Sequence, residues 1–364
     1  MKILFDYQIL MLQKFGGISR YYYELMQEMK KLDGNDVFLP VVASQNYYFR
    51  DIIKPADKLY YRTDTFRNRI KTLYCFYSKK IDIIHPTYYY PDYLKHISRK
   101  KTKVVITVYD LISELFYPDL DEGGLEKRKE TILNADGIIV ISEHTKKDLL
   151  KVYPEVNPEK VKVIYLAASM EKTDVEVDLS FLPDKYILFV GKRSLYKNGN
   201  TLLKAFVEIS RKYPDVSLVM AGGGDFNEEE LEIIKEGKIE ERVVQKNLSD
   251  DELYYAYKNA ECFVFPSLYE GFGIPILEAF YCDCPVVLSE ASCFPEIAQD
   301  AAVYCNGNDA TSMASSIEEF LSDNQKREEY KLKGRKRLAD FTWEKVAAET
   351  LDFYQYIINR NETV

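Results

Sequence analysis

Short runs of apolar, β-branched residues alternate along the chain with longer stretches whose apolar positions recur every three to four residues. The short runs predict strands at Lys2–Phe5, Val37–Val42, Ile81–Ile84, Lys103–Val108, Gly137–Ile141 and Val161–Ile164, with helices such as Ser19–Lys31 and Thr145–Val152 between them. A second series of predicted strands follows at Lys185–Val190, Ser217–Ala221, Arg242–Gln245, Cys262–Phe265 and Pro285–Leu288. Its predicted helices include Asn200–Lys212, Asp250–Asn259, Pro275–Tyr281 and Ala310–Leu321, and an amphipathic helix, Trp343 to Ile358, closes the chain. Strand–helix alternation of this kind builds parallel sheets with helices on both faces. The expected class is therefore α/β, with two Rossmann-like domains. The series restarts near residue 180, and Glu171–Phe181, of mixed charge and little periodicity, is the expected linker.

Length agrees with two domains, since 364 residues exceed one ordinary core. No apolar run approaches the roughly 20 residues of a membrane-spanning helix. Asp6 interrupts the first apolar run too early for a secretory signal, so a cytoplasmic protein is expected. The six cysteines lack zinc-site spacing and are expected as free, buried thiols. Charge is uneven: the net of −9 is +2 over residues 1–180 and −11 beyond them, and residues 50–103 hold 14 basic and 5 acidic residues. Aromatics interleave there, including Tyr60, Tyr61, Phe66, Tyr74, Phe76 and Tyr77. On charge alone that stretch fits an anionic membrane, a lipid-phosphate acceptor or nucleic acid, or else a solvated face over core aromatics.

In an open parallel sheet, ligands sit beyond the carboxyl ends of the strands. After Lys185–Val190 comes Gly191-Lys192-Arg193 with Lys197-Asn198 before a helix: two cations, Arg193 and Lys197, beside free backbone amides make a diphosphate site, or a charged surface loop. Gly222-Gly223-Gly224 follows the next strand and is either a close backbone approach or a tight turn. After Cys262–Phe265 comes Glu270-Gly271-Phe272-Gly273-Ile274-Pro275 with Glu278 just inside the next helix. Two carboxylates bracketing that turn can accept hydrogen bonds from the vicinal hydroxyls of a sugar or ribose. In the first half, Phe15-Gly16-Gly17 opens a helix after the first strand, and Lys103–Val108 ends in Tyr109-Asp110. Asp119-Leu120-Asp121 has a metal-binding form but sits in an apparent loop.

These residues resemble the retaining glycosyltransferases of family 4, which have the GT-B fold. The carriers are Glu270-Gly271-Phe272-Gly273 through Glu278, and Gly191-Lys192-Arg193 with Lys197-Asn198. Phe15-Gly16-Gly17, Ala135-Asp136-Gly137 through Ser142, and Phe294-Pro295-Glu296-Ile297 support them. The resemblance implies two domains facing across a cleft, spanning 1–178 with about 345–364, and 179–344, the last helix crossing back to the first. It implies that Arg193 and Lys197 neutralise a departing diphosphate and that Glu278 holds the ribose. Glu270 would meet the donor sugar with the Gly271, Phe272, Gly273 and Ile274 segment, Gly191 would line the donor site, and Gly16 and Gly17 would approach the phosphates. Many members place a histidine where Tyr109 and Asp110 stand, so these two are expected to replace it; His85 either faces the crevice or is structural. The activity implied is retaining, metal-independent transfer of a mannose- or glucose-type hexose. The donor would be a GDP- or UDP-sugar and the acceptor a polysaccharide or lipid-linked oligosaccharide. No cofactor and no nucleic acid are expected, and residues 50–103 are the expected peripheral contact with the inner face of a membrane. An epimerase or hydrolase of the same fold, and an inactive transferase-like scaffold, are the alternatives.

Overall fold

The computed structural model describes residues 1–50, 53–55, 61–90, 92–96, 101–118, 124–193 and 195–360. Its elements run β1 (Lys2–Phe5), α1 (Gln8–Leu12), α2 (Gly17–Lys31), β2 (Asp36–Phe38), β3 (Ala43–Ser44), β4 (Lys54–Pro55), α3 (Tyr61–Lys79), β5 (Ile83–His85), β6 (Lys103–Val108), α4 (Ile112–Phe116), α5 (Gly124–Asn134), β7 (Gly137–Val140), α6 (Glu143–Val152) and β8 (Val161–Val163). They continue with β9 (Tyr186–Val190), α7 (Gly199–Lys212), β10 (Ser217–Ala221), α8 (Glu228–Gly237), β11 (Val243–Lys246), α9 (Asp250–Asn259), β12 (Cys262–Phe265), α10 (Ile274–Tyr281), β13 (Val286–Ser289), α11 (Phe294–Ala298), β14 (Val303–Cys305), α12 (Ala310–Ser322), α13 (Asn324–Leu338) and α14 (Trp343–Asn359).

The chain divides into two compact units, Met1–Leu166 with Trp343–Val364, and Ala167–Thr342. The division falls twelve residues before the position read from the sequence. The stretch after Leu166 is tied to the second unit: the Lys172 amide donates to the Tyr281 hydroxyl and Tyr255 donates to the Thr173 carbonyl.

Each unit carries one six-stranded parallel sheet. The first has the order β2-β1-β5-β6-β7-β8 and the second β11-β10-β9-β12-β13-β14. Strands this apolar are buried on both faces, as parallel strands under helices must be; β12 and β13 are buried throughout. In both units the strand order reverses beside the first strand, between β1 and β5 and between β9 and β12. The crevice at such a reversal is where a doubly wound sheet holds its ligand.

Helix α14 packs on α2 and β6 and so belongs to the first unit. Its buried face includes Val346, Leu351, Phe353, Tyr354 and Ile357. Gly137 makes the approach possible, because a Cβ there would stand 2.9 Å from Ile357. His85, at the end of β5, is fully buried and joins this helix to the sheet. Its Nδ1 meets the Tyr354 hydroxyl, and its Nε2 lies 2.9 Å from Thr107 Oγ1. Tyr22 donates to the Pro86 carbonyl, and its oxygen lies 3.3 Å from Nε2. The histidine is structural, and burial lowers its pKa to about 3.

Candidate active site

In the second unit, the loops after β9 and β12 meet at the strand-order reversal. Gly191 leaves β9 with φ +124°, a conformation that a side chain would strain. The chain then turns Arg193 inward. The residue is 5% exposed; its guanidinium donates from Nε to Glu230 at 2.8 Å and to the carbonyls of Gly222, Gly224 and Asp225, each at 2.8 Å. The ring of Phe226 lies 4.7 Å from it. Glu230 also accepts from the Asn227 amide and completes the capping box of α8. The sequence expectation of Arg193 as a cation open to a diphosphate is therefore corrected. A long side chain entering a buried loop finds unpaired carbonyls and a carboxylate there, and its fork satisfies them. The glycine-rich turn is held by Arg193, which explains why a glycine triplet follows β10.

Lys197 takes the outward role. The Leu268 amide donates to the Tyr196 carbonyl at 2.7 Å, and Asn198 Nδ2 donates to the carbonyls of Pro266 and Gly307 at 3.0 and 2.6 Å. These bonds pin the β9 loop to the β12 loop and place Lys197 Nζ 2.5 Å from Glu270 Oε1. The two side chains keep 22% and 11% of their surface. Asn198 occupies the cap position of α7; its Nδ2 serves the loops, and its Oδ1 accepts from the Thr201 hydroxyl of the first turn at 2.6 Å rather than from a backbone amide.

Below Glu270 lies a support that the sequence did not reveal. Ser292 Oγ accepts from the Glu270 amide and donates to its carbonyl at 2.6 Å, while Cys293 Sγ reaches the carbonyls of Glu270 and Phe272. Burial holds the Cys293 thiol well above its usual range, so it remains a protonated donor. Phe272 packs edge-on against Phe341. Gly273, at φ +94°, is the cap of α10, and a Cβ there would crowd Phe294 at 3.0 Å. Pro275 sits in the first turn, where no helix partner is needed for its nitrogen. Glu278 stands one turn into the same helix and accepts from the buried Tyr257 hydroxyl at 3.2 Å. The six cysteines are all free and buried.

The structure thus gathers Gly191, Lys197, Glu270, Gly271, Phe272 and Gly273 on two linked loops, with Ile274 and Glu278 on the helix that follows. A lysine ammonium, a carboxylate and the start of a helix on one rim can bind a phosphate and a hydroxyl side by side. Glu230, Ser292, Cys293 and Tyr257 are the supporting residues the sequence did not single out. Only Glu230 had a legible signal, the Asn227 to Glu230 capping pattern.

In the first unit, Gly16 caps α2 and Gly17 begins it, exposed to solvent. Gln13 Oε1 accepts from the Ser19 amide at 3.3 Å, and Ser19 Oγ donates to the Gly16 carbonyl at 3.0 Å. Asp6, fully buried, accepts from the amide and hydroxyl of Thr87 and ties the β1 and β5 loops together at this unit's own reversal. Tyr109 does not match its expected role. It is buried and packs edge-on against Tyr21 at 5.7 Å, because β6 ends inside an aromatic cluster. Asp110 is partly exposed; its carboxylate accepts from the Ile112 amide at 3.0 Å, and its carbonyl accepts from Arg128. Asp119-Leu120-Asp121 lies outside the described residues. Among the described residues no helix is long and apolar enough to cross a membrane.

Residues 15–172 match the family described as Glycosyltransferase Family 4, and residues 171–337 match Glycosyl transferases group 1. The chain is 26% identical over 291 residues to O-antigen chain mannosyltransferase B of Escherichia coli, covering 74% of this chain and 75% of that protein. It is 28% identical over 273 residues to a Campylobacter jejuni N-acetylgalactosaminyltransferase acting on a diphospho-undecaprenol-linked sugar, covering 72% and 73%. Among solved structures it is similar to Anabaena HepE in complex with UDP, with a TM-score of 0.72 and 17% identity over 97% of this chain and 100% of the other. Two parallel six-stranded units with this connectivity are the GT-B fold, and the protein is a glycosyltransferase. It belongs to the family-4 glycosyltransferases, the two matches together spanning residues 15–337.

Proposed function

We propose that the chain is a retaining, metal-independent hexosyltransferase. It would move a mannose- or glucose-type sugar from a GDP- or UDP-sugar to a polysaccharide or lipid-linked oligosaccharide acceptor at the inner face of a membrane. The carrying observation is the Lys197–Glu270 pair at the start of α10. With no donor bound, each side chain neutralises the other. A donor diphosphate competes for the ammonium and releases the carboxylate to accept from a sugar hydroxyl. As the glycosidic bond lengthens, negative charge grows on the leaving phosphate, and Lys197 with the amides near Gly273 stabilises it there. Glu278 holds the ribose, with Tyr257 fixing its orientation. The acceptor hydroxyl attacks on the face that the leaving group vacates, which preserves the anomeric configuration. The UDP complex of the structurally similar HepE and the mannosyltransferase relative support this class of donor.

The test is a thermal-shift panel of UDP, GDP, ADP and their hexose conjugates, without added metal. One nucleoside diphosphate should raise the melting temperature clearly, since a ligand of the native state alone must stabilise it. No shift at millimolar concentrations of any of them would favour the inactive scaffold. Turnover of the donor without an acceptor, beyond slow hydrolysis, would favour the epimerase or hydrolase.

A further inference from the structure

Helix α3 leaves four large apolar or aromatic side chains facing water. Phe66, Ile70, Tyr74 and Tyr77 are 61%, 51%, 73% and 61% exposed. Their spacing of four, four and three residues puts them on one face, a stripe about 16 Å long at 1.5 Å per residue. The opposite face is buried and carries Asp64, Asn68 and Thr72 beside Cys75 and Phe76. Asn68 anchors it, accepting from the Val42 amide at 2.6 Å and donating to the Ala43 carbonyl at 3.1 Å. The inward face is thus held by Asn68 together with Cys75 and Phe76, which enter the core, while the four large side chains of the outer face stand in solvent, Tyr77 with its hydroxyl donating to the His96 carbonyl. A contiguous patch of this kind on a soluble domain marks a surface that meets something other than water.

Charge identifies the partner. The helix has five basic residues against one acidic, in a chain whose net charge is −9. Arg67, with 63% of its side chain exposed and 3.6 Å from Asp64, and Lys71, whose ammonium donates to the Val41 carbonyl at 3.2 Å, border the stripe on one side, and Lys79 and Lys80 lie at its end. Aromatic and aliphatic side chains flanked by long cations match a bilayer surface, where the rings enter the headgroup region and the cations reach lipid phosphates. Two copies of the chain meeting through this face would instead set the same cations against each other. We propose that the outer face of α3 docks the protein on an anionic phospholipid bilayer through Phe66, Ile70, Tyr74 and Tyr77, with Arg67 and Lys71 reaching the headgroups.

This deepens the membrane-side acceptor proposed above, yet it is read without donor or acceptor. The experiment is flotation of the full chain with vesicles of phosphatidylcholine, alone or mixed with phosphatidylglycerol, at low and high salt. The variant Phe66→Ser with Tyr74→Ser is run beside it, with melting temperature and nucleoside-diphosphate binding as checks on its fold. The wild type should float with the mixed vesicles, less so at high salt, and the folded variant should bind roughly tenfold or more weakly. Equal flotation of the folded variant, or no flotation of the wild type at low salt, overturns the proposal. So does a wild-type dimer that the variant converts to monomer. Failure here leaves donor binding untouched, while flotation without any nucleoside-diphosphate binding would sink the donor reading alone.

Discussion

At the scale of single residues, the second unit separates two cations that look equivalent in the sequence. Arg193 lies inside, with Glu230 and three carbonyls around it; Lys197 lies on the rim, with Glu270. Their substitutions should differ in kind. Arg193→Ala strands a buried carboxylate and should cost about 3–5 kcal/mol of stability, part of which Glu230→Ala restores in the same chain. Denaturant unfolding of the two single variants and the double variant checks this; an Arg193→Ala protein of normal stability would overturn the loop-holding role. Lys197→Ala should weaken nucleoside-diphosphate binding roughly 10–100-fold, the range of a charge-assisted bond, with a smaller effect on unfolding. Glu270→Gln should do the reverse for the diphosphate. It frees Lys197 from its partner, so calorimetric titration should show equal or tighter binding while transfer slows. Weaker binding in Glu270→Gln would mean that the pair does not have to open. The sequence made both loops legible, through glycines and charges at strand ends, but not which cation turns inward. That depends on the carbonyls of Gly222–Asp225, which no local pattern around residue 193 records. Glu270 itself stands on a loop yet is buried, because Ser292 and Cys293 come up beneath it from a turn further along the chain.

At the scale of elements, legibility followed the apolar period. Strands Lys103–Val108, Ser217–Ala221 and Cys262–Phe265 have the predicted bounds, since each is a short, nearly continuous apolar run. Helix α13 was missed because its sequence, NQKREEYKLKGRKRL, has almost no apolar face to repeat. Helix α3 was missed because four of its large apolar or aromatic residues face outward and only a few, such as Phe76, face the core, which breaks the expected match between period and burial. Strand β14 is only three residues long. The junction of α14 with the sheet yields two predictions. Gly137→Ala places a methyl against Ile357 and Phe353 and should cost roughly 1–3 kcal/mol as an overpacked contact, seen as a lower melting temperature. His85 gives a pH dependence. Its folded pKa, about 3, lies below the unfolded value near 6.5, so the unfolded chain binds a proton that the native chain refuses. Its contribution is intact above pH 6.5 and is lost as pH falls towards 3, by up to about 1.4 kcal/mol per pH unit. Burial raises the pKa of neighbouring Asp6, which acts with the opposite sign. The comparison that isolates the histidine is His85→Gln against wild type, with melting followed from pH 7 to 4. The wild type should lose stability more steeply, and parallel curves would remove His85 from the account.

At the scale of the whole molecule, the two units have the same kind of sheet but different claims on the donor. The site residues that the structure links by hydrogen bonds and an ion pair, from Gly191 to Glu278, all lie in Ala167–Thr342. The unit of Met1–Leu166 and Trp343–Val364 holds the expected Gly16 and Gly17 at the start of α2, while its expected hydroxyl, Tyr109, is buried in the aromatic cluster. A ligand stabilises whatever must unfold to release it. At 100 times its dissociation constant that is about 2.7 kcal/mol, or roughly a hundredfold slowing of exchange through such openings. Amide hydrogen exchange with and without the preferred nucleoside diphosphate therefore reports which unit holds it. The slowest amides of β9 and β12 should gain protection approaching that factor, and those of β6 and β7 should gain much less. An equal gain in both sheets would mean that the chain opens as one cooperative block. A gain confined to β1, β5 and β6 would place the diphosphate on the first unit, and the Lys197–Glu270 assignment would fail.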